Sequence, residues 1–206
     1  MTIVDGKFVM QSNGISLPNK KYGVIYADPP WTFKNYSEMG DSRNPNQHYK
    51  CMSLNDICRL PVSDISSDNC VLLIWVTDPL LDRAFEVIMA WGFTYKTVGF
   101  TWAKTNKTNL GFFTGLGYWT RSNPEMCLLA TKGKPKRISK AVRQLVVSER
   151  REHSRKPDEV YTRIENLLDG PYIELFARNT KDGWDSWGNE TEKHNGRTHE
   201  KHNGHT

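Results

Sequence analysis

Asp28-Pro29-Pro30-Trp31 follows directly on the apolar run Tyr22-Gly23-Val24-Ile25-Tyr26-Ala27, which sets a carboxylate, two prolines and an indole at one strand end. These residue types suit chemistry on the exocyclic amine of a nucleic-acid base. Such an amine is a poor nucleophile because its lone pair is delocalised into the ring. A catalyst must therefore hold its hydrogens with acceptors that favour a tetrahedral nitrogen, and a carboxylate and a neighbouring backbone carbonyl are such acceptors. Proline lacks an N–H and has a fixed φ, so Pro29-Pro30 removes competing donors and stiffens the turn that aims the carbonyls. Trp31 could sandwich a flat base, a contact worth roughly 1–3 kcal/mol and comparable to the cost of pulling a nucleotide from its stack. The plainer reading is that Asp-Pro-Pro closes a strand and Trp31 belongs to the core. Context favours the chemical one: ligands of open α/β sheets bind beyond the carboxyl ends of strands, and Tyr22 to Ala27 reads as a buried strand.

Further blocks follow along the chain: Thr101-Trp102-Ala103-Lys104-Thr105-Asn106, Arg121-Ser122-Asn123-Pro124-Glu125, His153-Ser154-Arg155-Lys156-Pro157-Asp158-Glu159, Ile173-Glu174-Leu175-Phe176-Ala177-Arg178 and Gly183-Trp184-Asp185-Ser186-Trp187-Gly188-Asn189-Glu190. With Asp28-Pro29-Pro30-Trp31 at their head, these blocks in this order resemble the MT-A-70 group of adenine-N(6) methyltransferases, of the bacterial or phage DNA methyltransferase type, over residues 22–190. The resemblance implies a Rossmann-like, S-adenosylmethionine-dependent methyltransferase fold whose acceptor motif precedes its cofactor motif. It also implies methyl transfer to the exocyclic amine of adenine in DNA. By the same resemblance Asp28, Pro29, Pro30 and Trp31 form the catalytic motif, with Asp28 also beside the cofactor. Lys156 pairs with the methionine carboxylate, Arg178 lies near the ribose, and Asn189 and Glu190 lie near the ribose and adenine. Tyr49, Trp102, Trp119 and Asn123 match positions at the acceptor pocket. The alternative for Lys156 and Arg178 is a surface ion pair; for Trp102 and Trp119 it is the core. The chain departs from the family pattern in two places: Met10 to Asn13 offers no acidic residue before the first motif, and Thr180 and Lys181 replace a His and an Asn of the eukaryotic pattern.

The elements that must position these residues are legible in the hydrophobic period. Ser53 and Asp56 resemble a capping box ahead of a short helix, and Pro61 blocks its continuation. Val71 to Val76 is apolar without alternation, as in a strand covered on both faces. Leu80, Leu81, Ala84, Phe85, Ile88 and Met89 recur at helical spacing up to Gly92. Thr94 to Trp102 and Glu125 to Thr131 read as strands flanking a Gly- and aromatic-rich loop from Leu110 to Asn123. Val160, Tyr161, Ile164, Leu167 and Leu168 mark a helix ended by Gly170, and Tyr172 to Ala177 is the last clear strand. This alternation predicts an α/β fold with a mostly parallel sheet and helices on both faces. Lys34 to Lys50 reads as a long loop beside the first strand end.

The 206 residues predict one methyltransferase domain over 1–190 and a polar tail over 191–206, in which Glu192-Lys193-His194-Asn195-Gly196 recurs as Glu200-Lys201-His202-Asn203-Gly204. Such a repeat cannot pack a core, and its histidines lack the carboxylate or thiol geometry of a metal site. Cys51, Cys58, Cys70 and Cys127 show no paired short spacing, which fits reduced thiols in a cytoplasm. No segment reaches the length of a membrane span. The net charge of +5 and pI near 9.0 are compatible with a polyanion. The basic stretch from Lys132 to Arg155 includes Lys134, Lys136 and Arg137; it reads as a phosphate contact, against the plainer reading of a solvated face. DNA is favoured over RNA as the partner. A catalytically silent nucleic-acid-binding scaffold, a cytosine-N(4) enzyme, and pairing as a homodimer or heterodimer remain open from the residues alone.

Overall fold

The computed structural model describes residues 2–4, 7–9, 16–32, 52–107, 111–151 and 155–188. Tyr49, Asn189 and Glu190, the expected loop over 34–50 and the tail over 191–206 lie outside them. Strands β1 (Thr2–Val4) and β2 (Lys7–Val9) form an antiparallel pair. The other described strands build one seven-stranded sheet from β3 (Tyr22–Ala27), β4 (Ser66–Val76), β5 (Thr94–Thr105), β6 (Glu125–Lys132), β7 (Leu145–Glu149), β8 (Tyr172–Leu175) and β9 (Trp184–Trp187), in the order β7-β5-β6-β4-β3-β8-β9.

β4 and β8 both run parallel to β3, β9 runs parallel to β8, and β7 runs parallel to β5. β6 is antiparallel to both of its neighbours, β4 and β5. Six strands therefore point one way and β6 alone is reversed. One edge of the sheet collects the C-terminal ends of those six strands and the start of β6. β3 is the switch point: the chain leaves it toward β4 on one side and returns to β8 on the other, which opens the crevice where doubly wound sheets bind ligands.

Helices cover both faces. α1 (Leu54–Cys58), α2 (Val62–Ile65) and α3 (Leu81–Ala90) bury Ile57, Val62, Ile65, Ala84, Val87 and Ile88 against Ile25, Leu72 and Ile74. α4 (Glu159–Leu167) buries Val160 and Ile164 against Val24, Tyr26 and Trp75. Burying each large apolar side chain of β3 and β4 contributes about 1.5–3 kcal/mol. The expected capping box is formed: Ser53 Oγ accepts the Asp56 N–H at 3.1 Å and donates to Asp56 Oδ2 at 2.7 Å. Among the described residues no helix is long and apolar enough to cross a membrane.

The fold agrees with the expected α/β class but, besides the β1–β2 pair, adds two strands to the main sheet. β7 lies inside the basic stretch and β9 follows the last strand expected. Both are short edge strands, and only Val146 in β7 and Trp184 in β9 are buried. Their pairing partners define them; their own hydrophobic period does not.

Candidate active site

Alternation along the strands brings Tyr26 and Asp28, Cys127 and Glu125, Trp102 and Lys104, and Glu174 to the α4 face of the sheet, which ends at the edge just described. Across β5, β6 and β3 this edge carries Lys104, Glu125 and Asp28 in turn. Lys156, just ahead of α4, lies over the row. Its Nζ is 2.8 Å from Asp28 Oδ2 and 3.3 Å from Glu125 Oε2, and Lys104 Nζ is 2.5 Å from Glu125 Oε1. The result is a chain of alternating charge, Asp28, Lys156, Glu125, Lys104. Only 11% of the Lys156 side chain is exposed. Lys156 Nζ also sits 5.4 Å above the Trp75 ring, and Lys104 Nζ 5.2 Å above the Trp102 ring. Burial works against the Lys156 charge, but the carboxylates of Asp28 and Glu125 outweigh it and raise the pKa of the ammonium. Burial likewise opposes ionisation of Glu125; Lys156 and Lys104 win, and hold it below the usual carboxylate range.

The Asp28 turn is fastened on both sides. The Asp28 N–H continues the ladder to the Leu175 carbonyl at 3.5 Å, Trp31 N–H donates to the Pro29 carbonyl at 2.8 Å, and Met52 N–H donates to the Pro30 carbonyl at 3.1 Å. Both proline carbonyls thus have one partner already, and each keeps a second lone pair. Trp31 is 7% exposed and its Nε1–H donates to the Trp75 carbonyl at 2.9 Å. In this geometry Trp31 locks the turn into the core.

Beside Asp28, Glu174 is buried between β8 and α4, where Tyr161 Oη–H donates to its Oε2 at 2.7 Å. Burial pushes its carboxyl up to about 7; the Tyr161 hydrogen bond resists and the nearby Asp28 charge assists. Trp75 Nε1–H donates to Tyr26 Oη at 2.6 Å below this group.

The remaining strand ends at this edge are tight. Phe176, directly after β8, has φ 62°, a left-handed conformation uncommon outside glycine. It turns the chain into Ala177-Arg178. A Cβ on Gly188 would lie 2.4 Å from the Ala177 carbonyl oxygen, so the segments after β8 and β9 meet without room for a side chain there. Arg178 is partly buried at this turn. Thr77, at the end of β4, has a buried hydroxyl with no hydrogen-bond partner in the described structure. Lys181, one of the departures noted above, turns away to Glu165 on α4 at 2.7 Å.

Of the residues expected from sequence, Asp28, Pro29, Pro30, Trp31, Lys156 and Arg178 are gathered along this edge. Trp102 is not in an open pocket: it is 1% exposed in the core beneath Lys104, with its Nε1–H on the Ser148 carbonyl at 3.2 Å. Trp119 is 98% exposed on the loop between β5 and β6. Asn123 is occupied with the backbone: its Oδ1 accepts the Lys104 N–H at 3.1 Å, and its Nδ2 donates to the carbonyls of Lys104 (2.9 Å) and Phe113. It shapes the loop and has little amide left to read a base.

The single basic arm expected over Lys132 to Arg155 is corrected by β7, which divides it. Lys134, Lys136 and Arg137 follow the C-terminal end of the reversed strand β6, at the far edge of the sheet from Asp28. There Lys134 N–H meets Asn69 Oδ1 at 2.7 Å and the next residue but three, Ile138, bonds through its N–H to the Leu167 carbonyl at 2.8 Å. Arg150, Arg151 and Arg155 follow β7 at the Asp28 edge. Glu125, Lys104 and Glu174 were given no role from sequence, although each interrupts or ends an apolar strand with a charge on the same face as Asp28.

A protein-family model described as MT-A70 matches residues 22–190. The chain is 36% identical over 190 residues to the type II methyltransferase M.MunI of a Mycoplasma species, covering 84% of this chain and 78% of that protein. It is 37% identical over 175 residues to a putative N(6)-adenosine-methyltransferase MT-A70-like protein of Medicago truncatula, and 31% identical over 175 residues to the human N(6)-adenosine-methyltransferase catalytic subunit METTL3. Each of these two matches covers 82% of this chain, but only 26% of the plant protein and 28% of the human one.

Proposed function

The chain belongs to the MT-A70 family, and from that premise we propose that it is an S-adenosylmethionine-dependent methyltransferase that modifies the exocyclic amine of adenine in DNA. The observation that carries this reading is Asp28 at the sheet's switch point, ionically held by Lys156. DNA is favoured over RNA by the likeness to a type II methyltransferase, which runs at 36% identity over 190 residues, against 175 residues for the adenosine-named proteins.

The residues present fit the cofactor. Lys156 faces its carboxylate and Arg178 its ribose, as the family likeness implies, the unpartnered Thr77 hydroxyl supplies a polar contact, and the tight turns at Phe176 and Gly188 bring backbone to the crevice. When bound, S-adenosylmethionine supplies an electrophilic methyl on its sulfonium. Asp28 accepts a hydrogen bond from the adenine amine and keeps the nitrogen lone pair directed at the methyl; an amine needs this positioning more than prior deprotonation. Lys156, shared with Glu125, fixes the Asp28 rotamer in this role. After transfer the surplus proton on the nitrogen passes to solvent.

Incubation with labelled S-adenosylmethionine and either DNA or RNA, followed by identification of the modified nucleoside, tests the reading. N(6)-methyladenine in DNA is the expected product. Methylated cytosine, or label in RNA alone, would refute it.

A further inference from the structure

Glu174 is the most deeply buried charged residue among the described ones, 9% exposed. Its register partners are Tyr26 on β3 and Ser186 on β9, so it stands on the α4 face one row below Asp28, beside the strand where the crevice opens. From α4, Tyr161 Oη–H donates to its Oε2 at 2.7 Å. The charges that act on it are Asp28 from β3, Lys156 from the segment before α4 and Arg178 from the turn after β8. The next groups out are engaged with one another: Lys156 also serves Glu125, Asp158 holds Arg151 and Arg155, Glu165 holds Lys181, and Asp185 holds Lys20. On β9 the Ser186 hydroxyl is buried with no hydrogen-bond partner in the described structure, and adds no charge. Held by a neutral phenol and facing a carboxylate, the buried Glu174 carboxyl keeps its proton up to about pH 7. A further positive charge tips it easily: a unit charge about 10 Å away, at an effective dielectric of about 20, lowers a carboxyl by roughly one pH unit.

Resting on the reading of the protein as an S-adenosylmethionine-dependent methyltransferase, we propose that Glu174 distinguishes the charged methyl donor from its uncharged product, carrying a negative charge when the crevice holds a sulfonium and a proton when it does not. As the donor binds, the Glu174 O–H bond breaks, its electron pair stays on the carboxylate and the proton passes to solvent. Once the methyl has left, the sulfur is a neutral thioether, and Glu174 takes a proton back from solvent. Near neutral pH the donor is thereby favoured over S-adenosylhomocysteine. Glu174 is a specificity-determining residue in this role; contact with the reacting amine stays with Asp28.

Calorimetric titration of the full chain with S-adenosylmethionine and with S-adenosylhomocysteine, each in two buffers of different ionisation enthalpy, counts the protons released. At about pH 6.5 the wild type should release about half a proton more with the donor than with the product. Measured against Glu174→Gln, its preference for the donor should rise about fivefold between about pH 6 and about pH 8. The amine of the methionine moiety titrates in both proteins, so the difference between them reports Glu174. Tyr161→Phe removes the hydrogen bond that favours the carboxylate, and should move the rise to higher pH. Equal proton release by wild type and Glu174→Gln, or the same pH dependence of donor preference in both, overturns the role of Glu174 and leaves the methyltransferase reading standing. If Glu174→Gln binds neither ligand, Tyr161→Phe decides: a rise displaced to higher pH supports the role, and an unmoved one refutes it. Failure of the wild type to bind either ligand overturns the methyltransferase reading and the role of Glu174 together.

Discussion

Lys156 and Asp28, 128 positions apart in sequence, meet at 2.8 Å over the sheet edge, and the same ammonium reaches Glu125 at 3.3 Å. Two carboxylates so enclosed tolerate one another only because the cation lies between them. Replacing Lys156 with Met strips Asp28 of its cation and leaves Glu125 with Lys104 alone, and breaking a buried pair typically costs about 3–5 kcal/mol. A Lys156→Met variant should therefore unfold at a clearly lower urea concentration at pH 7. The cost should shrink when Asp28→Asn and Glu125→Gln are added. A midpoint equal to wild type would show that the pair is not what stabilises this edge.

Asp28→Asn keeps the size of the side chain and one acceptor oxygen but replaces the charge-bearing acceptor with an amide. Transfer should fall by about two orders of magnitude or more, a loss comparable to removal of a key electrostatic contact. S-adenosylmethionine binding, measured by calorimetry, should change far less. Near-normal turnover in this variant would remove Asp28 from the chemistry.

Glu174 contributes a pH dependence of unusual sign for a carboxylate. Its folded value, about 7, stands above the ordinary 4.5. Between those two values the folded chain holds a proton that the unfolded chain has released, so stability is lost as pH rises through this window. The shift corresponds to about 3 kcal/mol by order of magnitude. Glu125 works in the opposite direction: its value is depressed, and its contribution is lost as pH falls through its folded value. Urea titrations of wild type and Glu174→Gln from pH 5 to 8 separate the two. The variant should lack the decline, and a parallel decline in both proteins would assign it elsewhere.

β3 and β4 were legible because two-sided burial writes itself as unbroken apolar runs such as Val71 to Val76. Asp28 was legible because a carboxylate before two prolines at such a run's end has few structural uses. β7 was hidden because Leu145-Val146-Val147-Ser148-Glu149 lies among arginines and buries only Val146 deeply. That omission joined Lys134 to Arg150 as one arm, when a strand carries the chain from one edge of the sheet to the other between them. The Glu125 and Lys104 roles depend on pairing β6 in reverse beside β5, a long-range fact that local pattern does not contain. Asn123 reads as a polar residue free to recognise a base until its three backbone partners are known.

The division of the basic stretch makes a contrast that salt can measure. Each phosphate contact to duplex DNA contributes about −0.9 to the slope of log binding constant against log salt. Arg150, Arg151 and Arg155 stand at the Asp28 edge, whereas Lys134, Lys136 and Arg137 stand at the other. Arg151 and Arg155 share Asp158, which orients both guanidinium groups at the start of α4. Substituting Arg150, Arg151 and Arg155 with Ala should make the slope shallower by about one unit for each phosphate contact removed and weaken binding at low salt. Substituting Lys134, Lys136 and Arg137 should leave the slope close to wild type. If the second set flattened the slope and the first did not, DNA would have to approach across the far edge, away from Asp28, and the placement of adenine at Asp28 would be wrong.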